Sequence, residues 1–95
     1  MKLDHLRQQI DEIDQELISL LAKRFQITEE VGQYKATQSL PAQDPGREAR
    51  QFKKIEELAV AAGLQPDHAA AIFRCIMDQV ISRHEELRRS ARVPG

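Results

Sequence analysis

The chain has no tryptophan, one tyrosine and three phenylalanines. That leaves no row of aromatic faces on which nucleic-acid bases could stack. Its single cysteine, Cys75, cannot form an internal disulfide. Beside Ile76 in an apolar run, it reads as a small buried filler. Neither sign of charge dominates: 14 basic and 15 acidic residues give a formal net charge of -1. They are well mixed, so there is no basic field for nucleic acid and no polybasic membrane patch. No apolar run is long enough to span a bilayer, and no signal peptide is visible. These absences predict a soluble protein of a reducing compartment, the cytoplasm, with no nucleic-acid or membrane partner. A glycine-rich phosphate loop, a Cys/His metal spacing and a Ser-His-Asp pattern are also missing, so neither cofactor nor metal is expected.

What is present is one long amphipathic stripe. Apolar residues recur at Leu3, Leu6, Ile10, Ile13, Leu17, Leu20, Ile27, Val31 and Tyr34. This alternating three- and four-residue spacing predicts a helix from Leu3 to about Thr37. Arg24 stands where the next apolar residue should be. Lys35 follows it by three turns and projects from nearly the same face. A helix of roughly 35 residues is about 50 Å long at 1.5 Å per residue. A compact domain of this chain length has a radius of gyration of about 12 Å, hence a diameter of roughly 32 Å. The helix should overrun any core the chain can build alone, and its stripe continues to both ends. A second copy is the simplest cover, and two-fold dimers are the commonest oligomers. The expectation is a homodimer in which this helix crosses between protomers.

The remainder reads as two more helices, giving an all-α fold of three. One domain is expected over residues 1–90, with 91–95 as a disordered tail. Asp4 is a candidate N-cap for the first helix. Gly32 inside that helix costs about 1 kcal/mol against alanine. It is either a tolerated glycine or a point of close backbone approach by a neighbouring helix. After a break from Gln38 to Gln43, Asp44 and Pro45 supply an N-cap and a first helical residue. This second helix runs to about Ala62 and stops at Gly63. Its apolar face is Phe52, Ile55, Ala59 and Ala62, with Leu58 alongside. Glu48 lies on that face where a hydrophobe would be expected, and Arg47 is its neighbour. Asp67 is the candidate cap of a third helix from His68 to about Arg89. Its seam is Ala69, Phe73, Ile76, Val80, then His84, then Leu87.

Each apolar face therefore carries a polar exception: Arg24 with Lys35, Glu48, and His84. Buried charge costs several kcal/mol unless it is paired. One account is an internal ion pair of Arg24 with Glu48 and a core histidine bonded to a carbonyl. The other is convergence on a bound anion, such as a small dicarboxylate, which the planar fork of arginine grips in bidentate fashion.

The run Leu6-Arg7-Gln8-Gln9-Ile10-Asp11-Glu12-Ile13-Asp14, with Leu20 to Arg24 and Val31-Gly32-Gln33-Tyr34-Lys35, resembles the first helix of the all-helical chorismate mutases. Pro41-Ala42-Gln43-Asp44-Pro45-Gly46-Arg47-Glu48 is similar to that family's loop and second-helix start, where the pattern is Asp-x-x-Arg-Glu. The resemblance covers nearly the whole chain. It implies an intertwined three-helix homodimer with two equivalent sites, and an isomerase that converts chorismate to prephenate by a Claisen rearrangement. Such a pericyclic step needs no nucleophile, metal or cofactor. It needs a dicarboxylate held in its reactive conformer and stabilisation of negative charge growing on the ether oxygen. Carried over by position, Arg24 and the partner chain's copy of Arg7 clamp the carboxylates. Lys35 bonds the ether oxygen and a nearby carboxylate. Glu48, with the backbone at Asp44, holds the ring hydroxyl, and Arg47 supports the site.

Two positions depart from the family pattern. His84 stands where glutamine is the second donor to the ether oxygen, and Val80 where serine is often found. A histidine N–H could replace the glutamine, with a pH dependence an amide would lack. Alternatively the site is altered: weak, partner-dependent, or directed at a relative of chorismate. Two such relatives are 4-amino-4-deoxychorismate, rearranged by a mutase, and isochorismate, cleaved by a pyruvate lyase. A non-catalytic helical dimerisation or regulatory module is the reading from outside enzymology.

Overall fold

A computed structural model describes residues 1–92. It consists of three helices, α1 (Lys2–Thr37), α2 (Pro45–Ala62) and α3 (Pro66–Arg92). α3 packs on both α1 and α2, which do not pack on each other. None of the described helices is long and apolar enough to cross a membrane.

The punctuation of α2 is local chemistry. Asp44 is extended, and its Oδ1 accepts the Arg47 amide at 3.1 Å while its carbonyl accepts the Glu48 amide at 3.0 Å. Gly63, at φ 76°, turns the chain left-handed. The Leu64 amide then returns to the Ala59 carbonyl at 2.8 Å and the Gly63 amide to Val60 at 3.2 Å, which closes a Schellman motif. α1 ends the same way without a glycine. Ser39 takes the left-handed position at φ 57°, and the Leu40 amide bonds the Lys35 carbonyl at 2.8 Å. This folds the following loop back over the end of α1 and buries Ala42.

Several expectations are corrected. α1 begins at Lys2 with no side-chain cap, so Asp4 lies in its first turn, where a carboxylate still favours the helix dipole. α3 begins at Pro66, and the Ala69 amide bonds the Gln65 carbonyl at 3.1 Å. Gln65 therefore holds the cap position and Asp67 the first turn, because proline is preorganised for the first helical residue. α3 runs through Ser90 and Ala91 to Arg92, since neither glycine nor proline interrupts it before Pro94. The rest of the expected tail, residues 93–95, lies outside the described residues. Cys75 is exposed, being roughly 200° around the helix from buried Met77. Leu58 and Ala62 are exposed as well.

The core is small: Ile55 and Ala59 from α2 meet Ala69 and Met77 from α3, flanked by Phe52 and Phe73. α1 contributes one buried residue, Gly32. Its apolar stripe lies bare from Leu3 to Leu20, with Ile13 55% exposed. The molecule measures 61 × 28 × 15 Å with a radius of gyration of 17.0 Å. The first helix does overrun the body that the rest of the chain builds.

A surface latch joins α1 to α3. Arg83 donates from Nε and Nη2 to the Glu29 carboxylate at 3.0 and 2.7 Å, and from Nη1 to Glu86 at 3.1 Å. The hydrogen bond from Arg83 holds the Glu29 carboxyl below its ordinary value of 4.5. A carboxyl depressed by folding stabilises the fold above the ordinary range, and the contribution disappears as pH falls through the lowered value. Thermal melts of wild type and Glu29→Gln should therefore differ at pH 7 and converge once the pH drops below the lowered Glu29 value. A gap that persisted into strong acid would assign the stability difference to something other than this latch.

Candidate active site

α1, the 38–44 loop, α2 and α3 enclose a cavity of about 270 Å³. Arg24, Thr28, Val31 and Lys35 form its α1 wall at successive spacings of four, three and four residues. α2 supplies Arg47, Glu48 and Gln51 from its first two turns. α3 supplies Met77, Val80, Ile81 and His84, and the loop closes one side with Ala42 and Asp44. Seven of the eight residues singled out in the sequence thus converge: Arg24, Lys35, Asp44, Arg47, Glu48, Val80 and His84. Arg7 is exposed and does not line this cavity. It stands 17 residues before Arg24, about 25 Å away along a straight helix.

The cavity is electropositive in effect. Three cations, Arg24, Lys35 and Arg47, face two carboxylates, Asp44 and Glu48. Asp44 is committed to capping α2. Glu48 Oε1 lies 3.6 Å from Arg74 Nη1, and Arg74 in turn stacks over Phe52, 4.4 Å from the ring centroid. Arg74 was not foreseen: of the two accounts drawn from the sequence, one paired Glu48 with Arg24 and the other had both converge on a bound anion. Arg24 instead sits over Phe73, 5.7 Å from its centroid.

Among the described residues, two buried polar atoms on the walls have no hydrogen-bond partner: Arg24 Nη1 and Glu48 Oε2. One is a donor and the other an acceptor, and leaving either buried and unsatisfied costs about 1–3 kcal/mol or more. The Lys35 ammonium donates to the Ala42 carbonyl at 3.2 Å and meets His84 Nδ1 at 3.4 Å. It has three N–H groups, so one remains for the cavity.

His84 is 4% exposed. Its Nε2 lies 2.7 Å from the Thr28 carbonyl, which matches the reading of a core histidine bonded to a carbonyl. Gly32 explains how the ring gets so close. A Cβ at Gly32 would stand 2.5 Å from His84 Cδ2 and 2.8 Å from Leu87 Cδ1. The glycine is thus not merely tolerated, but what comes close to it is a pair of α3 side chains, not the neighbouring helix's backbone.

Thr28, Val31, Ala42, Gln51, Met77 and Ile81 were missed. Thr28 follows Arg24 by four residues, and Gln51 follows Arg47 by four. The rule that places i and i+4 on one face identifies both once the first residue of each pair is suspected.

Residues 6–85 match the family model for Chorismate mutase type II. The chain belongs to this family. Among its relatives, the T-protein of Enterobacter agglomerans is 40% identical over 76 residues, 80% of this chain and 20% of the relative. The bifunctional chorismate mutase/prephenate dehydratase of Aquifex aeolicus is 33% identical over 90 residues, 92% of this chain and 25% of the relative. The chorismate mutase of Methanocaldococcus jannaschii is 29% identical over 77 residues, 81% of this chain and 78% of the relative. The chain thus spans a fifth to a quarter of the length of the first two and most of the third.

Proposed function

We propose that the protein is a chorismate mutase, an isomerase converting chorismate to prephenate in the cavity between its three helices. The observation that carries this reading is the pair of orphaned buried atoms, Arg24 Nη1 and Glu48 Oε2, on a wall that also offers a free Lys35 N–H. A dicarboxylate with a ring hydroxyl supplies what each lacks. One carboxylate accepts from Arg24, the hydroxyl donates to Glu48, and the ether oxygen accepts from Lys35. Arg47 adds positive charge at the mouth. Fixed donors aimed at the developing oxyanion need no reorganisation as the bond breaks, and the clamped ends hold the chain over the ring. Membership of the Chorismate mutase type II family supports the assignment.

The pairing of Glu48 with Arg74 bears on the analogues. A carboxylate already beside one cation gains less from a ring ammonium than an unpaired one would. This favours a hydroxyl over an amine at that position. The test is to incubate purified protein with chorismate, follow the loss of its near-ultraviolet absorbance and identify the product by chromatography. Prephenate is the expected product. Turnover of only the 4-amino analogue or isochorismate would replace this reading.

The assembly proposed is a homodimer in which the bare stripe of α1 is covered by a second copy and Arg7 enters the partner's cavity. Long exposed apolar rows of this kind mark association surfaces, and Arg7 cannot reach the cavity of its own chain. Sedimentation should give twice the 10.8 kDa chain mass. Ile13→Glu, which places a charge in the middle of the stripe, should yield monomers or unfolded chain. A wild-type monomer at micromolar concentration would rule the dimer out. A cytoplasmic location is part of the same proposal, consistent with an exposed free cysteine that a reducing compartment would leave as a thiol.

A further inference from the structure

We infer that His84 is a positioning residue for Lys35, acting as a hydrogen-bond acceptor through Nδ1, and is not a donor to the substrate. The inference rests on the mutase reading for its consequence in turnover, but its structural content stands on the ring itself. The Thr28 carbonyl has only lone pairs to offer, so Nε2, 2.7 Å away, carries the proton. The Lys35 ammonium has only N–H groups to offer, so Nδ1, 3.4 Å away, presents its lone pair. Both neighbours demand the same neutral tautomer. In that tautomer the ring's one N–H is already engaged, and none is left for an ether oxygen in the cavity.

The sequence builds this arrangement from α1. The Thr28 carbonyl is the helical partner of the amide four residues on, which is Gly32. A side chain there would collide with the His84 ring. Glycine lets the imidazole share the carbonyl's second lone pair. Lys35 is thereby held between two acceptors of different origin, the loop carbonyl of Ala42 and the α3 imidazole. Two bonds restrain the ammonium and leave one N–H free on a side chain that lines the cavity. The effect of His84 on the reaction passes through the ammonium it aims.

The first test requires no turnover. Long-range proton–nitrogen correlation on the imidazole of the intact protein, assigned with a His84→Gln variant, should show Nε2 protonated and Nδ1 bare. The Nδ1 signal should move when Lys35 is replaced by alanine. A ring protonated on Nδ1, or an Nδ1 signal indifferent to Lys35→Ala, overturns the inference even if chorismate is turned over. The second test is a double-mutant cycle on turnover. His84→Met, checked for helicity by circular dichroism, should lower kcat by up to roughly 10²-fold, the scale of misplacing a reacting group, with little change in KM. In the Lys35→Ala background the same substitution should cost almost nothing. If the two losses multiply, His84 acts on substrate independently and the inference fails. If wild type is inactive on chorismate while the tautomer and the Lys35 response are as expected, the mutase reading fails and the positioning geometry stands.

Discussion

Lys35→Ala should lower turnover by roughly 10²- to 10³-fold, the loss that follows removal of one preorganised donor to a developing oxyanion. Circular dichroism should remain helical. The ammonium is the one cation on the cavity wall that the chain holds at two points and still leaves with a free N–H. In the proposed mutase its removal would delete positive charge where the breaking ether bond needs it. Arg24→Ala should cost a comparable factor by a different route. Its guanidinium lies over Phe73 with Nη1 buried and unpartnered, and in the proposed mutase it would grip a carboxylate in ground and transition states alike. The loss there should appear in KM as well as kcat. Arg24→Lys should recover little, since an ammonium has no planar fork. A purely structural module predicts the reverse for both positions: unchanged or improved stability once a buried cation is removed. Steady-state kinetics on folded variants separates the two outcomes.

Gly32→Ala should destabilise the fold by about 1–3 kcal/mol, the usual range for overpacking, although helix propensity alone favours alanine by about 1 kcal/mol. The sign is decided by geometry. The new methyl would meet His84 Cδ2 at 2.5 Å, His84 Nε2 at 2.9 Å and Leu87 Cδ1 at 2.8 Å. Leu87 can swing aside, but the imidazole is buried and tied to the Thr28 carbonyl. Relief requires either moving α3 off α1 or breaking that bond. For a domain of this size each kcal/mol lowers the melting temperature by roughly 4–8 °C. Wild type and variant must be compared at equal concentration, because assembly shifts the transition. An alanine variant that melts higher would mean the helices have room to spare at this contact.

These two residues also mark how far the sequence can be read. Lys35 and Arg24 were visible because they break an apolar stripe, and a broken stripe is a pattern in one helix. The bounds of α2 were visible because Asp44, Pro45 and Gly63 each act within a few residues of themselves. The role of Gly32 could not be read, because what it admits is a ring 52 residues further along. The same holds for His84. Its misplacement on a seam was plain, but its tautomer is set by Thr28 and Lys35, 56 and 49 residues away. Periodicity also slips by one residue on α3, where Met77 is buried and Ile76 only partly so. Two adjacent apolar residues give the spacing no means of choosing between them. The pairing of Glu48 with Arg74 was not visible for a related reason: Arg74 is half exposed, and an exposed arginine leaves no irregularity in the pattern.

The separation of Arg7 from Arg24 along α1 has a consequence for inheritance as well as for chemistry. In the proposed assembly each site joins Arg24 of one chain to the partner chain's copy of Arg7. A chain with Arg7→Ala and a chain with Arg24→Ala are then each inactive alone. Co-expressed in one cell, they form mixed dimers in which one site carries both lesions and the other carries neither. Two null alleles should thus complement one another and restore growth that depends on the reaction, whereas Arg24→Ala paired with Lys35→Ala, both on the same side of every site, should not.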